Sequence, residues 1–143
     1  MVARKISASD LKGGAPLVQN AFLSLRLFPT SRVVVITRTG QAFQTPAEIE
    51  SCTLDLARVL PHNGRRGLRV VLDMRSAPVR VHPALDPAFE RFRKETETGF
   101  ACSAIVVTTA LGKVRADRLA STATFPMRVV GSMEEAIDFI NGE

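Results

Sequence analysis

The chain has 143 residues, 45% hydrophobic and 23% charged, with a formal charge of +5 and two cysteines. That length suits one domain with an ample core, and the composition excludes collagen-like, coiled-coil, disulfide-framework and disordered classes. No apolar run approaches the roughly 20 residues of a membrane span, and so few cysteines point to a reduced, cytoplasmic setting.

Residues 1–20 carry Arg4, Lys5 and Lys12, but Gly13, Gly14, Pro16, Gln19 and Asn20 interrupt any apolar run. They read as a flexible basic leader, which leaves 21–143 as the domain. Phe22–Phe28 alternates, with Leu23, Leu25 and Leu27 on one side and Ser24 and Arg26 on the other. Such period-two patterning with one wet face predicts a half-buried edge strand. Pro29–Arg32 supplies a turn, and the β-branched run Val33–Thr37 predicts a buried strand, so the two form an antiparallel hairpin.

Thr45-Pro46-Ala47-Glu48 has the pattern of a capping box with proline at N1. Ile49, Cys52, Leu56 and Leu60 follow at helical spacing until Pro61, Asn63 and Gly64 stop the helix. Leu68–Leu72 is a second buried strand, ending at Asp73. A loop from Arg75 to Leu85 leads to Asp86-Pro87, read as an N-cap and its N1 proline. Phe89, Phe92 and Thr96 form that helix's inner stripe, Glu90 and Lys94 an outer i,i+4 pair, and Gly99 its stop. Phe100–Val107 is a third buried strand. Thr108-Thr109 caps a short helix over Leu111–Ala120 with Leu111, Val114 and Leu119 inward. Met127–Val130 is the last strand, and Ser132-Met133-Glu134-Glu135 opens a helix carrying Ala136, Ile137 and Ile140.

The order β-β-α-β-α-β-α-β-α predicts a single α/β domain. Its five-stranded, mostly parallel sheet has one antiparallel edge strand and four helices. An unpaired Phe22–Phe28 edge invites a homodimer through strand addition, partly blunted by Arg26 and Pro29.

This order, with the stretches VVLDMRSAP…DPAFERF and AIVVTTALGKVRADRLA, resembles the STAS-like domain of bacterial anti-sigma-factor antagonists. That SpoIIAA-like fold is related to CRAL-TRIO lipid-binding proteins, and the likeness covers about residues 21–142. It implies a small non-enzymatic regulatory or scaffolding module that binds a protein partner, a nucleotide or a lipid. The family carries a phosphorylatable serine in an Asp-Ser-Ser/Thr-Gly pattern. Here the same region reads Asp73-Met74-Arg75-Ser76-Ala77-Pro78, so Ser76 stands three residues beyond the aspartate with no glycine following.

Chemistry in such sheets gathers beyond the carboxyl ends of parallel strands. Asp73, Arg75 and Ser76 follow one strand, and Thr108, Thr109, Gly112 and Lys113 the next. The latter four have the parts of an anion site, without the spacing of a nucleotide P-loop; simple helix capping by the threonines is the competing reading. A receiver-type phosphoryl site fails, because the first parallel strand ends Ile36-Thr37-Arg38 and supplies no acid for magnesium. A His82–Asp73 pair with Lys113 is the one enzymatic alternative. His62 and His82 have no metal-ligand spacing, and no cofactor is implied. Cys52 and Cys102 suit buried hydrophobes.

The charge is uneven: +3 over residues 1–31, +4 over 32–80 and −2 over 81–143. Without Trp or Tyr for stacking, this argues against nucleic acid and for a protein-contact surface at Arg65, Arg66, Arg75 and Arg80. The alternative partner is a small lipid or anionic ligand held between the sheet and the helix of Phe89 and Phe92.

Overall fold

Continuous runs rich in Val, Ile and Leu form the centre of one six-stranded sheet in the computed structural model, which describes residues 5–7, 9–78, 82–123 and 125–142. Its strands are β1 (Ala15–Gln19), β2 (Leu23–Phe28), β3 (Val33–Arg38), β4 (Arg69–Asp73), β5 (Cys102–Val106) and β6 (Met127–Val130), and they lie side by side in chain order. β1, β2 and β3 pair antiparallel, and β3 to β6 pair parallel. The helices are α1 (Pro46–Val59), α2 (Asp86–Glu97), α3 (Ala110–Thr122) and α4 (Met133–Ile140).

Because the parallel strands succeed one another in a single direction, crossovers of one hand carry all their helices to one face. That face buries Val34, Ile36, Val70, Leu72 and Ile105 under α1, α2 and α3. The opposite face buries Val33, Val35, Val71, Ala104 and Val106 under Ala136, Ile137 and Ile140 of α4. β3, β4 and β5 are thus apolar on both faces, which is why they read as continuous runs.

Local signals hold where capping chemistry is unambiguous. Thr45 and Glu48 form the reciprocal capping box of α1, and Ser132 accepts the Glu135 amide at the start of α4. Gly99 ends α2 with φ 94°, a left-handed conformation that costs glycine little.

Several expectations are corrected. The described part of the expected leader is not free of the domain: β1 pairs along β2, and Ile6 is buried against the α4 face, while residues 1–4 and 8 lie outside the described residues. Proline and glycine disguised this strand. Pro16 is tolerated because β1 is an edge strand, and a register shift between Pro16 and Val18 interrupts the ladder there. β2 consequently has neighbours on both sides, so a homodimer through a free Phe22–Phe28 edge is ruled out by β1. Asp86 is already helical; a 3₁₀ turn over Pro83–Leu85, capped by His82, precedes it. Glu90 pairs with Arg93 rather than Lys94. Leu111 and Val114 point outward, 52% and 50% exposed, because α3 buries its small face at Ala116 instead. The expected burial of Leu119 lies outside the described side chains.

The amino-terminal segment is held by a two-point clamp: the Ile6 amide donates to Asn141 Oδ1 at 3.0 Å, and Asn141 Nδ2 donates to the Ile6 carbonyl at 2.8 Å. Asn141→Ala should cost about 1–3 kcal/mol, two hydrogen bonds' worth. Hydrogen exchange would show it as lost protection at the Ile6 amide.

Candidate functional site

α1 and α2 pack along each other, whereas α3 leans on β6, which leaves a groove between α2 and α3. Its floor is one row across the sheet, Ile36 beside Leu72 beside Ile105. Phe89, Phe92 and Thr96 of α2 form one wall, and Gly112 and Ala116 of α3 the other. The cavity measures about 550 Å³, within the range of small-molecule sites. Among the described residues its rim carries Arg38, Arg75, Arg93, Arg115 and Arg118 against Asp86, Glu90 and Glu97.

The groove opens at the carboxyl ends of β3, β4 and β5, where the sequence placed the candidate chemistry. Thr108, Thr109, Gly112 and Arg75 line it; Lys113 and Ser76 are exposed and are not among its lining residues. Thr109 Oγ1 accepts the Gly112 amide at 3.0 Å, so this hydroxyl is used in capping α3. Arg75 grips Asp73 bidentately, Nε to Oδ1 and Nη2 to Oδ2 at 2.9 Å each, and the carboxylate holds the Arg75 guanidinium above its ordinary pKa. Asp73 is thereby committed to Arg75. One nitrogen of His82 is engaged as well, Nδ1 accepting the Ala84 amide at 3.1 Å. No cluster of three His, Cys, Asp or Glu side chains able to hold a metal occurs among the described residues.

The arginine surface also changes. Arg65 is 1% exposed and donates to the carbonyls of Leu60, Glu95 and Thr98 and to the Glu95 carboxylate, with its guanidinium over the Phe100 ring. It is an internal brace, not a contact residue. Its five donors in a rigid fork match the open carbonyls at the end of α2. Glu95 also takes a hydrogen bond with His62 at 2.8 Å. Arg66 is exposed, Arg75 partly so, and Arg80 lies outside the described residues.

Arg38 is the residue the sequence reading passed over. Strand alternation sets Val34, Ile36 and Arg38 on the helix-covered face, so the run that reads as Val33–Thr37 extends one position further. The side chain is 3% exposed; Nε donates to the Phe22 carbonyl at 3.1 Å and Nη2 to that of Gln41 at 3.2 Å. The guanidinium lies 4.5 Å over the Phe43 ring. Burial lowers its pKa from the usual arginine value.

Cys52 and Cys102 are free thiols facing opposite sides of the sheet, both pushed up by burial, the condition of unreactive cysteines. Glu97, half-buried in the groove wall, is raised to about 6 by burial, with Arg93 opposing and Glu90 adding to the rise. Its folded pKa lies above its unfolded one, so its stabilising contribution is complete below the unfolded value and disappears as pH rises through about 6. Glu97→Gln should therefore stabilise the fold near pH 7.5, by no more than about 1 kcal/mol once solvent screening at this half-buried site is allowed for, and change little near pH 4. Denaturant melts at the two pH values check this.

No family model and no curated protein matches this chain. Among solved structures, the chain is similar to an uncharacterised DUF3478-family protein from Shewanella loihica, described as having a SpoIIAA-like fold. The TM-score is 0.64 at 10% identity, covering 85% of this chain and 97% of that one. None of the described helices is long and apolar enough to cross a membrane. The architecture expected from the strand and helix order is thus present with one additional strand, and the chain has a SpoIIAA-like fold.

Proposed function

We propose that this chain is a non-enzymatic binding module whose α2–α3 groove takes a small amphipathic ligand. The observation that carries the reading is the groove itself, about 550 Å³ with an apolar floor and an arginine-rich rim. The non-enzymatic part is supported by the commitments of Asp73 to Arg75 and of His82 to its own turn, and by the exposed position of Lys113. Native mass spectrometry of the full chain purified from its own host tests it. A retained small molecule is expected. A bare mass, together with no thermal shift across a panel of amphipathic compounds, would overturn it.

A regulatory or scaffolding role through protein contacts is the second reading, supported by Leu111 and Val114. They are one turn apart on α3 and half exposed beside the groove. Apolar side chains grouped in this way favour burial against a partner. Affinity purification should then recover a stoichiometric protein that Leu111→Asp no longer retains. An unchanged yield with that variant would count against the contact.

A further inference from the structure

A buried guanidinium without a counter-charge is costly, because removing a cation from water is repaid only by close pairing. Arg38 is in that position: among the described residues no carboxylate lies within ion-pair distance of it. Two carbonyls and the Phe43 ring engage Nε and one Nη2 proton, while Nη1 has no hydrogen-bond partner among the described residues, and Arg38 lines the groove. Arg93 of α2 also lines the groove, but it has a counter-charge. Its Nη2 is paired with Glu90, yet its Nε is buried with no hydrogen-bond partner. Donor capacity on one apolar groove is thus left open at Arg38, where β3 stops.

We propose that Arg38 is the anion-recognising residue of this groove. It receives the carboxylate or phosphate-ester head of an amphiphile whose apolar tail lies along Ile36, Leu72 and Ile105. The planar guanidinium fork suits either head, since both present two oxygens at matching separation. The three carboxylates of the groove lie on α2, whereas Arg38 enters from the sheet, so a head group bound there approaches from the strand end. This inference rests on the groove being a ligand site.

The test is calorimetric titration of the full chain with decanoate, decyl phosphate and decanol, which share a tail and differ in the head. Wild-type protein should bind the better anion at least about tenfold tighter than the alcohol, the worth of one charge-assisted hydrogen bond. The tighter of the two anions identifies the head. Arg38→Gln should bring anion and alcohol within about twofold of each other, the anion losing far more affinity than the alcohol. Arg38→Lys, which keeps the charge without the fork, guards against a variant that fails to fold and should weaken the anion severalfold. Equal binding of all three by wild-type protein would overturn the role of Arg38 and leave the groove reading intact. Binding of none would overturn both.

Discussion

Arg65→Met should destabilise the protein by about 3–5 kcal/mol, the cost of breaking a buried ion pair from one side. The methionine would fill much of the space, so the loss would come from the acceptors left behind. These are the carbonyls of Leu60, Glu95 and Thr98 and the Glu95 carboxylate, all gathered where α1 ends and α2 ends. Gly99 would feel it too, since its Cα packs against the Arg65 side chain, with an added Cβ meeting Arg65 Cδ at 3.3 Å. Arg66→Ala, one position on and exposed, should stay within about 0.5 kcal/mol of wild type. Chemical denaturation of both variants separates a brace from a contact residue. Near-equal, small effects would show that Arg65 is not the brace described.

Phe43→Ala is the second large effect. Phe43 lies in the connection between β3 and α1, a segment with no regular structure, yet it is buried at the centre of an aromatic cluster. Its ring stacks on Phe22 with centroids 4.5 Å apart and meets Phe89 and Phe92 edge-on at 5.5 and 6.1 Å. Truncation should cost about 3–5 kcal/mol through lost burial and an incompletely collapsed cavity. It also removes the face on which Arg38 rests. Anion binding in the groove should therefore weaken more than alcohol binding does, whereas a merely looser fold would weaken both alike. Phe43→Leu, which keeps volume without the π-face, should recover most of the stability and little of the anion preference.

These two residues mark how far local reasoning reaches. Capping boxes, strand runs and stop signals act over a few residues, so α1, α4, β4, β5 and β6 were legible from Thr45, Ser132, Gly99 and the β-branched stretches. The first strand was not. Pro16 and the glycines before it suppress a strand signal, and only pairing with β2 reveals that an edge strand can accommodate that proline. α3 misled for a related reason: Leu111 and Val114 have helical spacing, but the face that meets the sheet is chosen by the position of β6 and not by hydrophobicity alone.

The candidate site divides in the same way. The sequence located its edge, because parallel strands deliver Arg75, Thr108, Thr109 and Gly112 to one end of the sheet. It did not distinguish a buried arginine from a solvated one, since Arg65, Arg66 and Arg38 look alike as letters. Burial of a charge depends on carbonyls and rings brought from distant parts of the chain, Leu60 and Thr98 for one, Phe22 and Gln41 for another.

By itself, then, the sequence determined the α/β class, the strand and helix order and the end of the sheet where chemistry can gather, because periodicity and capping are local. Only the tertiary structure decided that Ala15–Gln19 is a sixth strand, that Arg65 is a brace, and that Arg38 lines a groove with no counter-charge among the described residues. Each of these depends on which long-range neighbours supply a partner, and no local pattern encodes that.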